Sequence, residues 1–208
     1  MPTPTFFNLP KQKSQRIIDV AIDEFASAHF NDVSINQLIK RAEISRGSFY
    51  QYFENLEDLY CHITEQIAHE KLSYLHAYLE KKDASFFERL KGLYSTGLTF
   101  AMTHPKYAQI GNLLFKGDPV FKQKIFGEQE QQSKQFFIDL LQSAQNKGEI
   151  RSDINIQTAA FLFYQMNLSI SDYYLTGTTW FESPEEYLIA VDEMINIFKR
   201  GVETKKGE

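Results

Sequence analysis

The chain has 208 residues, of which 43% are hydrophobic, 14% aromatic and 24% charged, and its formal net charge is −5. This composition is that of a globular protein with one large domain, or a small domain joined to a larger one, and it excludes a disordered or fibrous chain. No N-terminal signal segment is predicted, and no uncharged apolar run reaches the ~18 residues of a transmembrane helix. The single cysteine, Cys61, excludes an intrachain disulfide, so we expect a cytoplasmic protein.

Only six prolines and ten glycines interrupt the sequence, which favours long helices over many short strands. We therefore predict an all-α fold of about nine helices. Residues 1–54 form an N-terminal arm and a three-helix domain that contains a helix-turn-helix. Residues 55–208 form a larger helical domain.

The first ten residues contain three prolines and no charged side chain, and they predict a loose arm. The first helix runs from about Lys11 to His29, with apolar side chains at helical spacing. We expect this helix to cover the apolar faces of the next two helices.

Residues 33–53, VSINQLIKRAEISRGSFYQYF, predict two short helices joined by a tight turn. Ser34 and Gln37 have the spacing of a capping box at the start of the first, whose apolar face includes Leu38. Ser45 is the predicted N-cap of the second. This second helix buries little besides its two phenylalanines, and its other face carries Arg46, Gly47, Ser48, Tyr50, Gln51 and Tyr52.

The polar face of this second short helix has the chemistry of DNA recognition. Arginine can form a bidentate pair with guanine and glutamine with adenine, whereas hydroxyl groups suit phosphate oxygens. Gly47 allows backbone and DNA to approach closely. The alternative is an ordinary helical hairpin with a solvated polar face.

The stretch SINQLIKRAEISRGSFYQYFENLEDLY resembles the DNA-binding domain of the TetR family of transcriptional regulators. The resemblance covers about residues 11 to 60. Ile35, Leu38 and Ala42 match the core of the family's first motif helix, and residues 44–50 match its turn and recognition helix. The junction into the fourth helix matches at Tyr52, Phe53, Asn55, Glu57, Asp58 and Leu59.

The resemblance implies which residues meet DNA. Arg46, Gly47 and Gln51 would approach bases, and Ser34, Ser48, Tyr50 and Tyr52 would approach phosphates. With the N-cap residue Ser45 included, these eight residues are the predicted DNA-binding set.

Three positions depart from the family's pattern. Glu43 stands where a turn glycine is usual, which predicts a turn that does not need a backbone conformation reserved for glycine. Tyr52 stands where histidine is common. Leu56 replaces a lysine at the start of the fourth helix, which removes one expected phosphate contact.

The negative charges are unevenly distributed along the chain. Residues 11–53 carry a net charge of +1, and the remainder carries −6. The acidity therefore lies away from the predicted DNA surface. Because that surface is not strongly basic, we expect only modest non-specific affinity for DNA.

Helix signals continue through the rest of the chain. Asn55 caps a fourth helix with no breaker before Lys82-Asp83, so no flexible linker separates the two predicted domains. Later helices are predicted from Ser85 to His104, over about 105–115, from Asp118-Pro119 to Lys147, over about 155–176, and from Pro184 to Arg200, where Ser183 is the N-cap.

The eighth predicted helix, about 155–176, is apolar nearly all round, and the ninth is rich in apolar residues. In the TetR family the last two helices form a four-helix dimer interface, so the resemblance implies a homodimer through helices 8 and 9. The alternative is that both helices simply complete the core.

The resemblance also implies an inducer-binding core, whose ligand would shift the population away from the DNA-competent dimer. The aromatic content suggests a small apolar or aromatic inducer. Candidate lining residues are Phe100, Tyr107, Phe137, Phe163, Tyr164, Asn167 and Tyr173, although aromatic residues at helical spacing are more often core.

No cofactor, metal site or catalytic residue is predicted. His62, His69 and His76 recur every seven residues, which places neighbours ~10 Å apart along a helix, too far to share one ion. The motifs HExxH and GxSxG and a Gly-rich phosphate loop are absent from the sequence, so we do not predict an enzyme.

The predicted function is a ligand-responsive transcriptional regulator, most simply a repressor, that binds a palindromic operator on double-stranded DNA as a homodimer. The alternative is a helical protein-interaction adaptor without sequence-specific DNA binding. A gel-shift assay with the DNA that flanks its own gene discriminates the two.

Overall fold

The computed structural model describes residues 1–79, 84–175 and 184–204, with the side chains of residues 76–79, 129 and 171–175 left aside. The fold in these ranges is all-α, as predicted. The helices are α1 (Pro4–Phe7), α2 (Lys11–Ser27), α3 (Ile35–Arg41), α4 (Arg46–Tyr52), α5 (Leu56–Leu79), α6 (Phe86–Thr103), α7 (Pro105–Lys116), α8 (Pro119–Asn146), α9 (Ile156–Leu175) and α10 (Pro184–Val202). A single 3₁₀ turn covers Phe30–Asp32.

The chain divides into two compact units. Unit 1 contains Met1–Leu72 and Thr103–Ile125, and unit 2 contains Ser73–Met102 and the chain from Phe126 onward. All three divisions fall inside helices, in α5, before the last residue of α6 and in α8. The predicted domain boundary after residue 54 stays a prediction.

The core of unit 1 contains buried side chains from α2 and from the two short helices that follow it. Ile17 of α2, Leu38 of α3 and Phe49 of α4 are each 0% exposed. Burial of a large apolar side chain contributes roughly 1.5–3 kcal/mol, so this shared core stabilises helices that are too short to persist alone. Helix α2 packs on α3, as predicted, and more extensively on α7, whereas its predicted packing on α4 stays a prediction.

Ion pairs connect α2, α3 and α7 beside that core. The Arg41 guanidinium donates to Glu24 Oε1 at 2.6 Å and to Asp23 Oδ2 at 2.9 Å. Lys106 Nζ, from α7, donates to Asp23 Oδ1 at 2.5 Å. Lys106, and after it Arg41, holds the pKa of Asp23 below its usual range. Arg41 is therefore engaged within the protein.

Three of the predicted helix starts carry the expected side-chain caps. The Ser48 N–H donates to Ser45 Oγ at 3.0 Å, and the Asp58 N–H donates to Asn55 Oδ1 at 2.9 Å. At the start of α8, Asp118 Oδ1 accepts from the N–H of Val120 at 2.8 Å. Each cap satisfies a backbone donor that the helix leaves unpaired.

The predicted capping box at Ser34 is wrong. Ser34 does occupy the N-cap position of α3, but its side chain makes no capping hydrogen bond. The Leu38 N–H donates instead to the backbone carbonyl of Ser34 at 3.0 Å. The Ser34 hydroxyl, on an exposed residue, is consequently not used to hold the helix.

Unit 2 is stabilised by a carboxylate at the start of α6 and by aromatic packing. Glu149 Oε2 accepts from the N–H of Phe86 at 2.6 Å. The ring centroids of Phe163 in α9 and Phe198 in α10 lie 4.9 Å apart. Gly148, with a φ of 74°, ends α8 in the left-handed conformation that glycine adopts without strain. The predicted N-cap Ser183 lies outside the described residues.

The turn between α3 and α4 contradicts the expectation for Glu43. Glu43 has a φ of 54°, in the left-handed region, so the turn does use the conformation that glycine favours. Its side chain forms an ion pair with Arg16 at 2.5 Å, but both side chains are largely exposed. An exposed pair contributes about 0–1 kcal/mol, which does not outweigh the strain of a non-glycine residue there.

Within the described residues, no helix combines the length and the apolar character needed to cross a membrane.

Substitution Glu43→Gly should raise the free energy of unfolding by roughly 1 kcal/mol, because it removes the strain of a β-carbon at positive φ. The measurement is urea denaturation at one fixed protein concentration. The matched control, Glu43→Ala, also loses the Arg16 pair but keeps the β-carbon, and it should be neutral or slightly destabilising. Equal effects of the two substitutions would contradict a strained turn.

Candidate nucleic-acid interface

Helix α4 has one buried side and one exposed side. Phe49 is 0% exposed, as is Phe53 just after the helix, and these two rings fix the rotation of α4 about its axis. The opposite side is open, and Arg46, Gly47 and Gln51 are exposed residues. Burial of two rings on one side therefore directs the hydrogen-bonding side chains of α4 outward.

Arg46 is held by two neighbours. Its Nη1 donates to Asn36 Oδ1 of α3 at 3.0 Å, and its guanidinium lies 5.9 Å from the ring centroid of Tyr50. Tyr50 itself is 46% exposed. Arg46 is thus oriented before any partner arrives. Asn36 was not identified from the sequence as a residue that orients Arg46. The only sequence feature that marks Asn36 is its position two residues after the predicted N-cap Ser34.

The two serines of α4 contact one another. The hydroxyl oxygens of Ser45 and Ser48 lie 2.8 Å apart, while Ser45 also caps the helix. Ser34, at the start of α3, is likewise exposed. The three serines can accept or donate further hydrogen bonds toward an approaching phosphate.

Tyr52 does not lie on the exposed side where the resemblance placed it. Its side chain is 4% exposed, and its ring packs 6.3 Å from that of Phe6, with Lys13 Nζ 5.6 Å from its centroid. Where the family commonly has histidine, this chain uses a larger ring to complete its core. Tyr52 is therefore a core residue and does not belong to the exposed surface that could contact DNA.

The N-terminal arm is not loose. The Thr3 N–H donates to the carbonyl of Tyr52 at 2.9 Å, and Thr3 Oγ1 donates to the carbonyl of Gln51 at 2.6 Å. These carbonyls belong to the last turn of α4, where the helix itself supplies no N–H donors for them. The arm thus caps the C-terminal end of α4 from 48 positions away in sequence.

An aromatic anchor fixes the arm in place. Phe6 is 4% exposed, and its ring centroid lies 4.8 Å from that of Phe53 and 5.8 Å from that of His62. Burial lowers the pKa of His62, so its imidazole is favoured in the neutral form that suits this aromatic site. The partners of Phe6 thus lie at the end of α4 and on α5.

Gly47 is not required by the fold. A β-carbon built at this position would meet only Ser45 Oγ, at 3.8 Å, which is an ordinary van der Waals distance. The backbone is therefore accessible from outside because position 47 carries no side chain, which permits close approach of a partner.

The cations of unit 1 are divided between internal pairs and the surface. Arg41 and Arg16 form ion pairs with acidic neighbours. Lys11 and Lys40 are exposed and have no ion-pair partner among the described residues. Only a few positive charges near α4 are left to meet phosphate groups.

The candidate inducer-binding residues lie in several places. Phe137 packs 5.3 Å from Phe163 and 6.5 Å from Tyr164, so these three form one aromatic cluster in unit 2. Phe100, 4% exposed, packs against Tyr74 in the same unit. Tyr107 belongs to unit 1, where its ring stacks on that of His104. Asn167 is half-buried in α9, and the side chain of Tyr173 lies outside the described part.

The histidine row on α5 is described only in part. His62 is buried against the arm, and the side chain of His76 lies outside the described residues. Among the described residues, no group of three His, Cys, Asp or Glu side chains could hold a metal ion.

A helix-turn-helix with an exposed polar second helix, inside an otherwise helical chain, defines the class of helix-turn-helix regulators. Residues 17–63 match the family described as bacterial regulatory proteins, tetR family. The helix-turn-helix segment of this chain therefore belongs to the TetR family of bacterial regulatory proteins.

Similar proteins match the chain over different lengths. A TetR family transcriptional regulator from Chloroflexus aurantiacus, known from its crystal structure, is similar with a TM-score of 0.75 and 28% identity over 99% of this chain and 100% of that one. The "Probable acrEF/envCD operon repressor" of Escherichia coli is 20% identical over 88% of this chain and 86% of its own length. The HTH-type transcriptional regulator YuxN of Bacillus subtilis is 39% identical over 49 residues, which are 24% of this chain and 17% of that protein.

Substitution Thr3→Val should loosen the end of α4, because it removes the hydroxyl donor while keeping the shape of the side chain and the backbone hydrogen bond. Amide hydrogen exchange at residues 51–53 should accelerate by about 2- to 10-fold, the range expected for loss of one net hydrogen bond. The control is Thr5→Val, since Thr5 is exposed and makes no hydrogen bond among the described residues. Equal exchange rates in the two variants would contradict the capping role of the arm.

Proposed function

We propose that the protein is a homodimeric transcriptional repressor that binds a near-palindromic operator and is released by a small apolar or aromatic inducer. The observation that carries the proposal is the exposed polar side of α4, with Arg46 already oriented by Asn36. Such a helix can enter the major groove of DNA, where base edges differ from one pair to the next.

The proposed contacts divide into two kinds. Arg46 and Gln51 read base edges, for which their bidentate hydrogen-bonding groups are suited, and Gly47 allows close approach. Ser34, Ser45, Ser48 and Tyr50 bind phosphate oxygens and position the helix. Lys11, Lys13 and Lys40 add attraction to the backbone. A role on bacterial DNA implies action in the cytoplasm.

Dimerisation is proposed through α9 and α10 of unit 2. Large apolar side chains on these helices are exposed in the single chain, namely Phe161 (59%), Leu162 (52%), Leu168 (37%), Ile189 (60%) and Ile197 (67%). Monomers rarely leave so many large apolar side chains on two adjacent helices in water, and such surfaces mark interaction sites. A second copy of the chain would cover them and supply the second recognition helix for the other half-site, about 34 Å away.

The proposal includes repression of transcription and release of the protein from DNA by an inducer. The similarity to a relative named as an operon repressor supports repression as the direction of control. The aromatic cluster of Phe137, Phe163 and Tyr164 in unit 2 is the proposed wall of an inducer site. An inducer that binds one dimer geometry more tightly than the other would lower the population able to bind DNA.

Substitutions Arg46→Ala and Gln51→Ala should each weaken operator binding by ~1–3 kcal/mol, because each removes contacts to one base pair. The measurement is fluorescence anisotropy with the DNA flanking the gene and with a scrambled duplex. Asn36→Ala should relax the preference at the base pair that Arg46 reads, since Arg46 would lose its orienting partner.

The matched comparison is Ser48→Ala, which removes a proposed phosphate contact. It should weaken binding to the operator and to the scrambled duplex alike. Operator binding that is indifferent to both Arg46→Ala and Gln51→Ala would refute base reading by α4.

Substitution Ile197→Glu should break the dimer, because it places a charge in the apolar surface shared by α9 and α10. The loss should exceed about 2 kcal/mol, or roughly 30-fold in dissociation constant, if Ile197 lies at the centre of the interface. Sedimentation velocity at micromolar concentration measures it.

The control for the dimer is Val120→Glu, because Val120 is 76% exposed at the start of α8 and belongs to unit 1. It should leave the dimer intact. A monomeric wild-type protein, or dissociation by both substitutions alike, would contradict an interface on α9 and α10.

A further inference from the structure

Unit 1 contains a crevice of about 330 Å³ beside the 3₁₀ turn that precedes α3. Four aromatic rings contribute to its walls, those of Phe25, Phe30, Tyr60 and Phe121. Phe30 and Phe121 stack with ring centroids 4.3 Å apart, and Tyr60 lies 5.2 Å from Phe30 and 5.5 Å from Phe121. The volume falls within the usual range for small-molecule sites.

The hydroxyl of Tyr60 has no hydrogen-bond partner among the residues that the structure describes. Tyr60 is only 3% exposed, but its hydroxyl oxygen is not completely sealed from solvent. The small exposed fraction of this residue therefore includes the hydroxyl, at a side chain that lines the crevice. Burial raises the pKa of Tyr60, so the group stays a neutral phenol that can donate or accept.

Gly117 keeps the crevice open on the side of α7. A β-carbon at this position would lie 3.0 Å from the carbonyl of Leu113 and 3.8 Å from Nδ1 of His29. The space beside the imidazole of His29 thus exists because residue 117 has no side chain. The imidazole of His29 has no hydrogen-bond partner among the described residues, so it offers a second polar contact at the edge of the crevice.

The charges at the rim nearly balance. Two acidic residues, Asp32 and Asp118, and two residues with basic side chains, Lys116 and His29, line this part of the crevice. Asp118 also caps α8 through the N–H of Val120, so its carboxylate is already engaged. Neither sign of charge dominates, which favours an uncharged ligand. The faces of the aromatic rings in the walls favour an aromatic ligand.

We propose that this crevice binds a small, uncharged aromatic molecule with a hydroxyl or ring N–H group, which packs among the aromatic walls and hydrogen-bonds to Tyr60. The site is distinct from the aromatic cluster of unit 2. It lies against residues 29–32, directly before the N-cap of α3, so its occupant contacts the segment that leads into the helix-turn-helix.

The test uses the full chain without DNA, so its outcome does not depend on the proposed function. Phenol and toluene are titrated separately and followed by amide chemical shifts in two-dimensional NMR. Phenol should give saturable shifts at residues 28–32 and 116–121 and should bind about 2- to 10-fold more tightly than toluene, which lacks the hydroxyl.

Two variants locate the contacts. Tyr60→Phe, which removes only the hydroxyl, should abolish the advantage of phenol over toluene. Phe121→Leu should weaken both ligands by about 2- to 10-fold, because it removes one ring from the wall. The matched control is Phe115→Leu, since Phe115 is 50% exposed near the end of α7 and does not line the crevice.

Absence of saturable shifts at these residues would overturn the proposal. So would an unchanged preference for phenol in Tyr60→Phe, or equal losses in Phe121→Leu and Phe115→Leu. Because Tyr60→Phe is nearly isosteric and Phe121 is only half-buried, both variants should fold, which a thermal melt verifies.

Discussion

The burial of Phe49 and Phe53 is the constraint on which the functional surface depends. Helix α4 has only seven residues, and a helix of that length has almost no stability of its own in water. Its existence and its rotation therefore come from the two rings, each 0% exposed, in the core shared with α2 and α3. Once the rings are buried, the helical repeat of 3.6 residues places Gln51 on the opposite side of α4, and Arg46 is exposed in its first turn.

Contacts at both ends of α4 reinforce that constraint. Ser45 caps the first turn from the adjacent residue, whereas Thr3 satisfies carbonyls of the last turn from the start of the chain. Asn36 of α3 holds Arg46 from a third direction. A recognition element whose backbone and side chains are already ordered loses less conformational entropy on binding, and the same contacts then yield higher affinity.

Most local features were predictable from the sequence, although the capping box at Ser34 was not correct, and long-range contacts were not predictable. The caps at Ser45, Asn55 and Asp118 and the long apolar helices follow from spacing within a few residues, and they were predicted correctly. The Thr3 contacts join residues far apart in sequence, so no local pattern marks them. Glu43 adopts a positive φ in the turn between α3 and α4, against the preference of a residue with a β-carbon, so its conformation could not be predicted from residue type. The predicted DNA-binding set itself rested on the family resemblance more than on spacing.

The distribution of charge determines what kind of DNA binder this chain can be. Arg41 is occupied by Asp23 and Glu24, and Arg16 by Glu43, so several cations of unit 1 contribute to internal pairs rather than to phosphate binding. Non-specific affinity scales with the number of phosphates neutralised. A protein with few free cations must obtain its affinity from base contacts and from two half-sites bound at once. Such a protein would be released readily when either the helix orientation or the dimer geometry changes, which is the property that a regulated repressor requires.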